Sequence, residues 1–147
     1  MSGLVKGLLI SGGVIVLVVL IIIGVGVYWV SMHGGEWLDK TKKSVAEGQD
    51  FGKGTDNQGC LAEAISRHRK DASMSSAIGT QVFLAACLPS SRETPDFCEG
   101  VPGRMEFLKS GQWQVEQCHK EGLTDSYCPQ LFAAVQNFCE KAGNRKP

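Results

Sequence analysis

Between Gly7 and Met32 the sequence has no charged side chain, over a stretch of 26 residues. A solvated surface helix or loop does not read this way, and a run of that length points to a membrane. Other absences narrow the function. There is no CxxCH, which excludes covalent haem attachment, and no CxxC, which argues against a thioredoxin-type pair or a zinc ribbon. The 15 basic side chains are matched by 15 acidic ones, so there is no cationic excess to neutralise phosphates, and a nucleic-acid partner is not expected. No segment alternates apolar and polar residues with period two, so no sheet is predicted. Without a strand, no glycine-rich phosphate loop is expected either. The length of 147 residues excludes a large multidomain enzyme.

What is present divides sharply. Of the charged residues only Lys6 precedes His33; the 115 residues from His33 onward hold 14 basic and 15 acidic side chains. The apolar run Leu8–Val30 is about 35 Å long as a helix, enough to span a hydrocarbon core of about 30 Å. Tyr28 and Trp29 at its end, and Trp37 beyond it, are placed to rest in the membrane interface. The run exceeds the apolar core of a cleaved signal peptide, and Val30, Ser31, Met32 and His33 provide no small-x-small cleavage site. An uncleaved single-pass anchor is therefore expected, with the lipid bilayer contacting residues 8–32. A small-residue row, Gly3, Gly7 and Ser11, is a weak signal for helix pairing.

Two signals on orientation conflict. Lys40, Lys42 and Lys43 follow the run, and the positive-inside bias would keep them in the cytoplasm. The six cysteines, Cys60, Cys87, Cys98, Cys118, Cys128 and Cys139, all follow it too, and an even set suggests three disulfides in an oxidising compartment. The cysteines carry the greater weight, since the short tail 1–7 suits a signal-anchor. The expected location is a cell (inner) membrane, with the C-terminal domain in the periplasm or an equivalent extracytoplasmic space.

The polar part reads as all-α. Glu36–Ala46 suggests a short juxtamembrane helix, and residues 47–59, with four glycines and Phe51 as the one apolar side chain, suggest a flexible spacer. The compact domain is expected over 55–143, with a tail at 144–147. Helices are predicted from Asp56 to Asp71, Met74 to Leu88, Arg104 to Lys120 and Ser126 to Lys141, with a short one opening at Thr94-Pro95-Asp96. On the third long helix, Met105, Leu108, Val115 and Cys118 are expected to share a side, and Phe97, Phe107, Phe138 and Trp113 to fill the core. The result is a small bundle of two helical hairpins. Residues equally far from a hairpin turn lie level, which selects Cys60–Cys87 and Cys118–Cys128 and leaves Cys98–Cys139. The rival set pairs Cys87 with Cys98 and Cys60 with Cys139. The spacings Cys118-x9-Cys128 and Cys128-x10-Cys139 resemble the twin Cx9C hairpins of mitochondrial intermembrane-space proteins only in part. Three cysteines here share one hairpin, and no property is carried over.

No catalytic, cofactor-binding or metal site is expected. His68 lies on the apolar side of its helix, where a satisfied core histidine is the ordinary case. His33 falls at the membrane boundary. His119 sits near a helix C-terminus, which favours a cation. Glu93, Asp96 and Glu99 form a mixed-charge loop with Arg92 and Arg104. Trp113, between Gln112 and Gln114, would be a partner contact if exposed. The expected role is non-catalytic: a membrane-anchored accessory subunit or adaptor that touches a protein partner in or near the membrane. The alternative is a thiol/disulfide-dependent helper, or a small-ligand or metal-binding domain with a polar pocket around His68 or the Glu93–Glu99 loop.

Overall fold

A computed structural model of the protein describes the backbone of residues 2–143 and the side chains of residues 13–143. The row Gly3, Gly7 and Ser11 lies outside the described side chains, and the tail 144–147 lies outside the described residues. The chain is all-α. Five α-helices occur among the described residues: α1 (Ser2–Lys53), α2 (Asn57–Lys70), α3 (Met74–Cys87), α4 (Phe107–Lys120) and α5 (Cys128–Gly143), with a 3-10 turn at Leu88–Ser90. The β-pairing among the described residues is an isolated bridge between Asp56 and Arg92. The chain divides into two compact units, Met1–Asp39 and Lys40–Pro147.

The first unit is helical, and its large apolar residues from Val14 to Met32 are all exposed. This is the one helix among the described residues that is long and apolar enough to cross a membrane. In lipid that exposure costs nothing, and a helix satisfies its own backbone groups. Tyr28, Trp29 and Trp37 are exposed along it. Trp29 stacks on His33, whose Nδ1 lies 3.3 Å from the Trp29 carbonyl oxygen.

The second unit begins earlier than the composition suggests. Residues 47–53, expected as flexible spacer, continue α1, and so does the segment 36–46, expected as a separate short helix. Gly48 and Gly52 explain the difference. Both are buried, and both lie against the α3 backbone. A Cβ on Gly48 would overlap the Phe83 carbonyl oxygen, and one on Gly52 would stand 2.6 Å from the Cys87 carbonyl oxygen. These glycines serve close helix approach, not looseness. Phe51, between them, meets the Phe83 ring with centroids 5.8 Å apart. Arg67 closes the contact from α2, bonding Glu47 and Glu63 at 2.9 Å each and lying 3.9 Å over the Phe83 ring.

The remaining helices follow local rules. Asp56 caps α2, accepting from the Gly59 amide at 2.8 Å, and Ser73 caps α3. Gly122, at φ +67°, ends α4: its amide donates to the His119 carbonyl and the Leu123 amide to the Cys118 carbonyl, a Schellman closure with Leu123 buried. Pro89 falls in the 3-10 turn and Pro129 in the first turn of α5. Thr94-Pro95-Asp96 does not open a helix. Asp96 adopts φ +62°, and residues 95–100 form successive turns.

The core is built from Ile65, Phe83, Leu84, Leu88, Leu131, Phe132 and Val135 on α2, α3, the 3-10 turn and α5. Three disulfides cross it: Cys60–Cys87, Cys98–Cys139 and Cys118–Cys128, with Cα–Cα distances of 5.8, 5.4 and 6.0 Å. Two of them clasp the hairpins α2–α3 and α4–α5. The third ties the irregular segment after the 3-10 turn to α5. Cys60–Cys87 and Cys118–Cys128 are the pairs that level positions in two hairpins select, and Cys98–Cys139 is the pair they leave.

Candidate functional site

Two buried polar clusters hold the body together, and neither announces itself in the sequence pattern. Asn57 is buried at the start of α2. Its Nδ2 donates to the Leu88 carbonyl (3.1 Å) and to Ser91 Oγ (2.8 Å), and its Oδ1 accepts from the Thr94 amide at 3.1 Å. With the Asp56–Arg92 bridge, this fixes the entry to the long segment between α3 and α4. Gln136 does the same at the other end of that segment. Its Oε1 accepts from Ser110 Oγ and Gln114 Nε2, and its Nε2 donates to the Pro102 carbonyl at 3.2 Å. Fully bonded buried amides of this kind fix one arrangement of the chain.

His68 is fully buried. Its Nε2 lies 2.9 Å from both carboxylate oxygens of Asp125, while its Nδ1 has no hydrogen-bond partner. Asp125 Oδ1 also accepts the amides of Tyr127 and Cys128. Burial works against the charge on Asp125, but the bond with His68 and the two amides outweigh it and hold the carboxyl below the usual carboxylate range. His68 is thus a structural tie between α2 and the turn before α5. The adjacent Arg69 reaches the same turn through the Glu121 carbonyl at 2.6 Å. Three of the four basic residues ending α2, Arg67, His68 and Arg69, are therefore tied to other elements.

Among the described residues no three His, Cys, Asp or Glu side chains lie close enough to hold a metal ion. All six cysteines are in disulfides. The Glu93–Glu99 loop does border a groove of about 690 Å³ against the end of α5. Its walls carry the carboxylates of Glu93, Asp96, Glu99 and Glu140 and the rings of Phe97 and Phe138, which meet edge to face at 6.2 Å.

The aromatic and apolar residues of α4 distribute differently from expectation. Trp113 is half-buried against the core, edge-on to Phe132 at 5.8 Å. Phe107 is not a core residue but 76% exposed, and Met105, Leu108 and Val115 are 79, 84 and 48% exposed. Only Cys118 of the expected side is buried. The reason is that α4 has two apolar faces. Its inner face presents Trp113 and Cys118 to α5, together with Ser110 and Gln114. On the outer face Leu108, Gly111, Val115 and His119 recur at helical spacing, and Gly111, Gln112, Val115, Glu116 and His119 line a shallow, almost wholly apolar depression there. Phe107, Leu108 and Met105 stand together at the N-terminal end of this surface. Expectation from spacing could find the stripe but not say which of two faces the core would take.

The chain matches no family model, no curated protein and no solved structure.

Proposed function

We propose that the protein is a membrane-anchored interaction module with its disulfide-bonded body outside the cytoplasm, acting as an accessory subunit or adaptor without catalysis of its own. The observation that carries this reading is the run Met105, Phe107 and Leu108, the most exposed large apolar side chains of a small body whose core is otherwise well filled. Adjacent exposed apolar residues of that size mark contact surfaces. The helix up to Met32 supports the anchor, and three disulfides with no free thiol support an oxidising compartment.

The test is extraction of the full chain from its membrane in mild detergent, with mass spectrometry of what accompanies it. A different membrane-associated protein is expected with the native chain and is lost in the surface variant Met105→Ser/Phe107→Ser. A chain that emerges with no other protein overturns the accessory-subunit reading. Alkylation before reduction checks the compartment: six protected cysteines are expected, and six reactive ones would put the body in the cytoplasm.

A further inference from the structure

The outer face of α4 is self-complementary, and we infer that it pairs antiparallel with the α4 of a second copy of the chain. Leu108 and Val115 lie seven residues apart, about two helical turns, so both fall on one stripe. Gly111 lies between them, and a Cβ there would meet nothing within 4 Å, so a second helix finds room for a close approach. Lys109 and Glu116 are also seven residues apart and lie along the same flank of that stripe.

A two-fold axis in the contact plane, beside Gly111 and Gln112, brings like flanks together with the helix directions reversed. Leu108 of one copy then covers Val115 of the other, and Lys109 meets Glu116 of the other. Each contact occurs twice. Had Lys109 and Glu116 been alike in charge, the same symmetry would have set like against like. The intrachain partners do not compete strongly. Lys109–Glu106 and Glu116–Lys120 are exposed pairs at i,i+3 and i,i+4, the weakest class of ion pair, and both are free to exchange. One helix stripe is a small interface, weak between freely diffusing chains. Anchoring in a common bilayer raises the local concentration enough to populate it. To that extent the inference rests on the anchored reading given above.

The experiment uses the full chain in lipid vesicles. Gln112→Cys is placed beside the two-fold axis and Lys120→Cys about two turns from it, each tested for disulfide-linked dimer on mild oxidation. Gln112→Cys is expected to cross-link and Lys120→Cys to stay largely monomeric. Lys109→Glu should weaken dimerisation about tenfold, and Lys109→Glu with Glu116→Lys should restore it to within about twofold, because the swap preserves complementarity. Equal cross-linking at both positions, or a double swap as weak as the single variant, overturns the inference. So does a chain that stays monomeric in the vesicles. A monomeric chain that still retains a different protein through Met105 and Phe107 removes the second copy and leaves the interaction module standing. A cross-linked dimer that retains no different protein does the reverse.

Discussion

Asp125 Oδ1 accepts two backbone amides at the start of α5, while both oxygens of the same carboxylate face the buried ring of His68. One side chain therefore caps a helix and partners Nε2 of a core histidine, and its charge matters to both. Its carboxyl is held below the usual range, so the folded protein binds that proton less readily than the unfolded chain. The contribution is complete above the unfolded carboxylate pKa of about 4 and drains away as pH falls through the lower folded value. Asp125→Asn keeps the cap geometry and removes the charge. At pH 6 it should be less stable than the native chain by about 1–3 kcal/mol, the usual worth of hydrogen bonds to a charged group. Thermal unfolding from pH 6 down to pH 2 should show the gap closing below about pH 4. A gap that stays constant would mean that the carboxylate charge is not the stabilising feature. The His68–Asp125 tie was half legible. The apolar stripe of α2 placed His68 in the core, but its partner lies 57 positions away, and no spacing rule reaches that far.

At the scale of elements, the same glycines can be read two ways from composition. Four glycines and few apolar residues over 47–59 suggest a linker, yet Gly48 and Gly52 are the points where α1 touches the α3 and 3-10 backbone. A glycine used for freedom and a glycine used for closeness look alike until the neighbour is known. They differ in what substitution does. Gly→Ala in a true spacer is neutral or slightly stabilising. Here Gly52→Ala should destabilise by about 1–3 kcal/mol, the usual cost of overpacking, and Gly48→Ala by at least as much, since its Cβ would come still closer to a backbone carbonyl oxygen. Gly54→Ala, where the nearest foreign atom is 3.7 Å off, should fall within about 0.5 kcal/mol of the native chain. Thermal unfolding of the three variants checks the order, and three equal values would restore the spacer. α4 failed for a related reason. Its periodicity is real, but a helix with two apolar faces gives one pattern for two environments, and only packing chose Trp113 and Cys118 over Leu108 and Val115.

Over the whole molecule, the helices α2 to α5 and their cross-links were the legible part, because capping residues, glycine stops and hairpin levelling all agree there. The segment from Ser91 to Glu106 was not. It holds no regular helix, and its position is set by Asn57, Gln136 and the Cys98–Cys139 bond, which are contacts between parts of the chain distant in sequence. That uneven distribution separates the three disulfides in their effects. Their sequence separations are 10 for Cys118–Cys128, 27 for Cys60–Cys87 and 41 for Cys98–Cys139. Loop entropy alone ranks their contributions in that order, at roughly 2.7, 3.6 and 3.9 kcal/mol. The longest loop has a further term. Cys60–Cys87 and Cys118–Cys128 join helices that also pack along their lengths, whereas Cys98–Cys139 is the one covalent tie on the irregular segment. Replacing Cys98 and Cys139 together by Ala should therefore cost most. It should also loosen residues 91–106 before the helices melt, raising their amide exchange while the α2–α3 amides stay protected. Replacing Cys118 and Cys128 should cost least and leave that segment as protected as in the native chain. Unfolding midpoints of the paired Ala variants, read with amide exchange on the full chain, test both parts. Loss of protection spread evenly over all helices in the Cys98/Cys139 variant would show that the segment is held by packing, with the disulfide adding only loop entropy.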